Sequence, residues 1–345
     1  MINYYLIIID KHTAFYSIET KLSYARQERT QPKMILKYVL IKYIQNIRNL
    51  PIISYNNEHI CYRDINAFNV SPKKTNDMNN KKRESIIGCI INNTDLSEYY
   101  KFSRRWNNIR MAVYNYVNND LDINDNINLI HRAGRKFNYD FEIRDDTSKF
   151  KIELKFNVDN INKAPQFVSP YNPSKYMASS YEEFYYDNYL PLLTSSCDDL
   201  IVPEKNIYLR EINSTTPTCM INHKNIYDKG CKKSSKYTGN IKDIEFYKLA
   251  NKLSRESIIS FMSITELNIE KLNEYLSNTQ NNKIYMLYKK GKFYKQIINM
   301  DKYKITSYIV NKNKFIAKTC EGYSIKILLR WKNGNGIAFP AFQIS

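Results

Sequence analysis

Apolar residues recur at helical spacing early in the chain. Met34, Ile35, Tyr38, Val39, Ile41 and Ile44 predict an amphipathic helix over residues 33–49, interrupted on its polar side by Lys37 and Lys42. The polar, basic stretch at 71–83, SPKKTNDMNNKKR, reads as an exposed linker. Helical spacing resumes from about Glu84 to Asn92 and again from Leu96 to Val117. In the second segment Tyr100, Trp106, Ile109, Val113, Tyr116 and Val117 supply a buried stripe, leaving Arg104, Arg105 and Arg110 to solvent or phosphate. After an Asn/Asp-rich turn at 118–128 the period changes to two, over 129–144 and 150–157. Residues 172–193 return to a helical pattern behind Pro173, and 241–278 continue it. Past 283 short alternating runs (IYMLY, KFYKQII, KITSYIV, KFIAKT, SIKILLRW) predict strands separated by turns.

This order predicts an α/β protein in three parts: a mostly helical N-terminal region over 1–83, a mixed core over 84–235, and a helix followed by a strand-rich region over 236–345. The chain of 345 residues is long enough for a sizeable core. The start, MINYYLIIIDKH, lacks the basic flank and small-residue cleavage site of a secretory signal. No run reaches the roughly 18 uninterrupted apolar residues of a membrane span. A soluble, intracellular protein without a membrane partner is expected, in cytoplasm, nucleus or a viral factory.

Charge changes the picture. The net charge of +18 calls for a polyanionic partner, and nucleic acid is the commonest. The bias toward Lys, Asn, Ile and Tyr resembles coding by an AT-rich genome, such as that of a large DNA virus, and accounts for part of that charge. Six cysteines form no disulfide framework. Cys219, His223 and Cys231, with Cys197 upstream, could supply four zinc ligands, but their spacing matches no common finger, which argues against structural zinc. No phosphate-binding GKT/S loop, HExxH pair or serine elbow is present.

The strongest chemical signal is a pair of strands. Tyr139, Phe141 and Ile143 share one face, opposite Asn138, Asp140 and Glu142. Phe150, Ile152, Leu154 and Phe156 share another, opposite Lys151, Glu153, Lys155 and Asn157. A four-residue loop at Asp145–Ser148 sets Arg144 opposite Lys149, and the ladder then places Asp140 opposite Glu153. Facing carboxylates at a Cβ separation of about 5 Å repel unless a cation lies between them. They suit magnesium, with the Leu154 carbonyl as a further ligand and Lys155 beside the metal. Such a group suits phosphodiester hydrolysis.

Asp140 within NYDFEI and the Glu153-Leu154-Lys155 triplet in an apolar strand resemble the PD-(D/E)XK, or restriction-endonuclease-like, nuclease superfamily. The resemblance covers about residues 84–195 and implies an αβββαβ core. It also implies magnesium (manganese as substitute) on Asp140 and Glu153, and Lys155 assisting the attacking water. Tyr139 stands where the family motif has proline. A further acidic ligand from the preceding helix is expected at Glu84 or Glu98, and Gln166 lies where some members place a glutamine. His131 is a candidate base. Arg132, Arg135 and Lys136 are candidate phosphate contacts before the catalytic strand, as are Arg330 and Lys332 near the Gly334–Gly336 turn, where Trp331 could stack on a base. The expected function is metal-dependent cleavage of DNA by an endonuclease, with RNA and a homodimeric form compatible. The rival is a non-catalytic basic nucleic-acid-binding or structural protein on the same fold.

Overall fold

A computed structural model describes residues 44–70, 76–123, 126–132, 137–158, 160–161, 172–196, 202–213, 241–333, 336 and 338–345. The chain forms two compact units. The first comprises Met1–Asn160 and Lys283–Ile297, the second Ile161–Asn282 and Ile298–Ser345. The divisions read from the sequence, after 83 and after 235, differ from these because local composition does not reveal that residues 283–297 return to the first unit's sheet.

In the first unit, residues 44–48 are helical, and the rest of the helix expected over 33–49 lies outside the described residues. A hairpin follows, β1 (Ile53–Tyr55) and β2 (Glu58–Ile60). Asn56 and Asn57, both at positive φ, make its two-residue turn. Helix α1 spans Asn76–Ile91. The expected linker is therefore helical from Asn76 onward, because its polar side chains have partners a linker would lack. Arg83 is buried, donates to the Ala67 carbonyl and to Asn80, and lies over the Phe156 ring. The stripe expected over 96–117 is present as α2 (Ser97–Phe102) and α3 (Arg104–Asn115), with a π-turn at Tyr116–Asp120. Ser103 divides the two helices because its side chain caps the second, accepting from the Trp106 N–H.

The sheet of this unit has the order β3 (Asn128–His131), β4 (Phe141–Arg144), β5 (Lys149–Phe156), β6 (Ile284–Lys289), β7 (Lys292–Gln296). Neighbours are antiparallel except β5 and β6, which are parallel. Strand β6 follows the second unit's helices in the sequence, so a helix, three antiparallel strands, a helical stretch and a parallel strand succeed one another. Ile86, Ile87, Ile90, Trp106, Val113, Phe141, Ile143, Ile152 and Met286 form one buried cluster between helices and sheet.

The second unit carries α4 (Tyr181–Asn188), α5 (Leu190–Thr194), α6 (Lys205–Ile212), α7 (Ile241–Met262) and α8 (Ile269–Gln280). The helix expected over 172–193 is broken into pieces. A 3-10 turn at Pro173–Tyr176 gives way to a β-bridge from Met177 to Leu267, Ser180 caps α4, and Pro191 opens α5. An antiparallel sheet, β11 (Ala338–Ile344), β10 (Ser324–Asn333), β9 (Lys314–Thr319) and β8 (Ile305–Asn311), completes the unit. Trp331 is buried against Tyr181 and Tyr185 and donates to the Tyr181 hydroxyl, so it is not a base-stacking platform. Gly336 has φ +82° and its carbonyl accepts from Tyr208, and a side chain there would collide with Tyr185. Its glycine serves the turn.

Candidate active site

The hairpin register is the one read from the sequence: Arg144 pairs with Lys149, Glu142 with Lys151 and Phe141 with Ile152. Asp140 lies one step past the last pair. Its N–H still donates to the Ile152 carbonyl, while its carboxylate Oδ2 accepts from the Leu154 N–H at 2.9 Å. The side chain of Asp140 thus takes the place of the next ladder partner, where β4 and β5 part. The N–H and C=O of one residue in a strand point to the same side. The Leu154 carbonyl therefore faces Asp140 rather than β6.

Glu153 stands beside Asp140. Lys155 Nζ reaches Glu153 Oε1 at 2.6 Å. A second lysine, absent from the sequence reading, completes the group: Lys283, immediately before β6, is buried. Its Nζ donates to the Asn138 carbonyl at 2.9 Å and approaches Glu153 Oε2 at 3.4 Å. Nothing local marks Lys283, because the register that carries it here pairs Ile152 with Ile284, strands far apart in sequence.

The electrostatics follow from burial and neighbours. Burial, reinforced by the charge of Glu153, pushes Asp140 up to about 7. Burial alone would raise Glu153 too, but the two lysines outweigh it and hold it below its ordinary value. Lys155 is opposed by burial yet raised by the close Glu153 charge, so it stays protonated. Lys283, farther from the same carboxylate, is less compensated and is lowered by burial. Glu84 on α1 is pushed up to about 8, by burial first and then by Asp140 and Glu153. Of the two acids expected from the preceding helices, Glu84 is therefore the one whose field reaches the pair. Glu98 is half-exposed, pairs with Lys101 and does not join the site.

The other candidates are placed differently. His131 is packed between Tyr55 and Phe141 with its pKa lowered by burial, so it is a core residue rather than a base. Arg132 is tied to Glu142 at 3.3 Å and lies over Phe137, which leaves it poorly placed to contact a phosphate. Glu142, expected on an open charged face, is instead buried between Arg132 and Lys149. Arg330 is exposed on β10. Arg135, Lys136, Gln166, the Lys332 side chain and the Cys197–Cys231 cluster lie outside the described residues.

Among the described residues no three His, Cys, Asp or Glu side chains converge as a self-sufficient metal cage. Magnesium does not need one: it is usually held by one or two carboxylates and completed by water and substrate phosphate. Two carboxyls driven above their ordinary range, with the Leu154 carbonyl on the Asp140 side of β5, form a cluster that a divalent cation would relieve. The donor set fits. Among the described residues no helix is long and apolar enough to cross a membrane. Comparison of the chain with protein families, curated proteins and solved structures returns no match.

Proposed function

We propose that this protein is a magnesium-dependent nuclease of the PD-(D/E)XK type that hydrolyses DNA phosphodiester bonds as an endonuclease. The observation that carries the reading is the parting of β4 and β5 at Asp140, with Glu153 and Lys155 beside it and the buried Glu84 of α1 within their field. Asp140, Glu153 and the Leu154 carbonyl would hold the metal, which when bound polarises the scissile phosphate and lowers the pKa of a water. Lys155 is protonated in this arrangement, so its part is to orient that water and to stabilise charge developing on the phosphate. Lys283 holds the second oxygen of Glu153 and anchors the chain entering β4 through Asn138, fixing the carboxylate's orientation.

The test is cleavage of supercoiled plasmid, single-stranded DNA and RNA, with magnesium or EDTA, by wild type and Lys155→Ala. Expected is magnesium-dependent nicking of DNA that falls at least about 100-fold in the variant, the cost of losing one electrostatic contact to the transition state. Equal activity in the two proteins sinks the site. Absence of cleavage with salt-sensitive DNA binding retained would favour a non-catalytic binding protein.

A further inference from the structure

The four strands of the second unit separate most of their side chains by face, the exceptions being Ala341, buried opposite Arg330, and Val310, exposed opposite Phe315. Opposed residues share a face, so the register assigns each position. One face carries Phe315, Ala317, Ile325, Ile327, Leu329 and Phe342, all buried. The other carries Lys314 and Lys318 on β9 and Lys326 and Arg330 on β10. Lys318, Lys326 and Arg330 are exposed and Lys314 is half-buried. No Asp or Glu occurs in any of the four strands, and among the described residues none of the four cations is in an ion pair.

Their arrangement is linear. Lys318 pairs with Ser324, Ile316 with Lys326, and Lys314 with Leu328. Along the β10 axis the cations therefore fall level with residues 324, 326, 328 and 330, alternating between β9 and β10. At roughly 3.4 Å per residue and 4.8 Å between strands, this is a zigzag about 20 Å long with a positive charge about every 7 Å. A compact phosphate ligand needs converging donors in a pocket, and an extended row suits an extended polyanion. An anionic membrane would use the same charge, but surface insertion needs projecting apolar side chains. Among the described side chains of this face, Ile316 and Leu328 are half-buried between the lysines and Ile309 is the one exposed apolar residue.

We propose that this face binds the phosphate backbone of DNA. The contact is independent of base sequence, because lysine and arginine on a flat sheet read charge rather than base edges. It shares only the polymer with the nuclease reading and requires neither metal nor cleavage.

The experiment measures binding of a fluorescent 30-base-pair duplex by anisotropy in EDTA from 50 to 300 mM salt. The full chain is compared with Lys314→Ser/Lys318→Ser/Lys326→Ser/Arg330→Ser and with each single change. A control, Lys101→Ser/Lys248→Ser/Lys252→Ser/Lys271→Ser, removes the same charge elsewhere, and thermal melting checks folding of every variant. The fourfold variant is expected to lose at least about tenfold in affinity and about 3–4 units of log–log salt slope, near 0.9 per phosphate contact. Each single change should lose close to one such unit. An unchanged slope, an equal loss in the control, or no wild-type binding overturns the proposal. Tight binding to anionic vesicles lost in the same variant, with DNA binding untouched, would assign the face to a membrane instead. Because no cleavage is measured, a failed nuclease reading leaves this result intact, and the converse holds.

Discussion

At the scale of single residues, the site is a balance of burial against charge. Glu84 is a carboxyl raised in the folded state from 4.5 to about 8. The native protein then holds a proton that the unfolded chain releases above about 4.5, so this contribution to stability is fully present below that pH. It is lost as pH rises to about 8, at no more than about 1.4 kcal/mol per pH unit. Glu84→Gln cannot titrate. In EDTA, the stability difference between wild type and Glu84→Gln, followed by urea unfolding, should move against wild type from pH 5 to 8 and then level off. A difference independent of pH would mean that Glu84 is neither buried nor in the field of Asp140 and Glu153. Asp140 and Glu153 were legible because a strand's period of two and an even-length loop fix which side chains face each other. The choice between Glu84 and Glu98 was not, since helical spacing does not reveal which turn faces the sheet.

The element that brings Glu84 to the site is α1, and its distance from the sheet is set one turn later at Gly88. A Cβ added there would come within 2.5 Å of the Tyr55 hydroxyl and 2.7 Å of His131 Nε2. An ordinary helix interior gains about 1 kcal/mol from Gly→Ala. Here overpacking, typically about 1–3 kcal/mol, opposes that gain and should exceed it. Gly88→Ala is therefore expected to lower the melting temperature and to reduce cleavage by more than the loss of folded protein explains, as α1 carries Glu84 outward. A variant more stable than wild type with full activity would show that α1 has room to spare. The sequence hid this element for a related reason. Residues 76–83 look like a linker because their stabilisation is polar: Lys82 pairs with Asp64, and Arg83 stacks on Phe156 of β5. Hydrophobic periodicity, the main signal for a helix, has little to report in such a turn.

The molecule as a whole makes its sheet from two separate stretches of chain. Strands β3 to β5 come from one and β6 and β7 from another, with residues 161–282 belonging to the second unit. The boundary drawn by composition, 84–235, omits β6, whose Tyr285, Met286 and Leu287 are almost wholly buried, and also omits Lys283. Removing three such side chains from a core leaves a loss of several kcal/mol, comparable with the entire stability of a domain. A fragment 84–235 should therefore fail to unfold cooperatively and fail to cut DNA, although it retains Asp140, Glu153 and Lys155. A second chain would join Met1–Asn160 to Lys283–Ile297 through a flexible linker of about 12 residues, the minimum for a parallel crossover, and end there. It should fold and keep magnesium-dependent cleavage, while losing the salt-sensitive binding assigned to the β9–β10 face. Cooperative unfolding by circular dichroism and plasmid nicking distinguish the two. Activity in 84–235 would place the whole chemistry in the hairpin and leave Lys283 without a role. Inactivity in a well-folded linked chain would mean that the second unit contributes to catalysis directly.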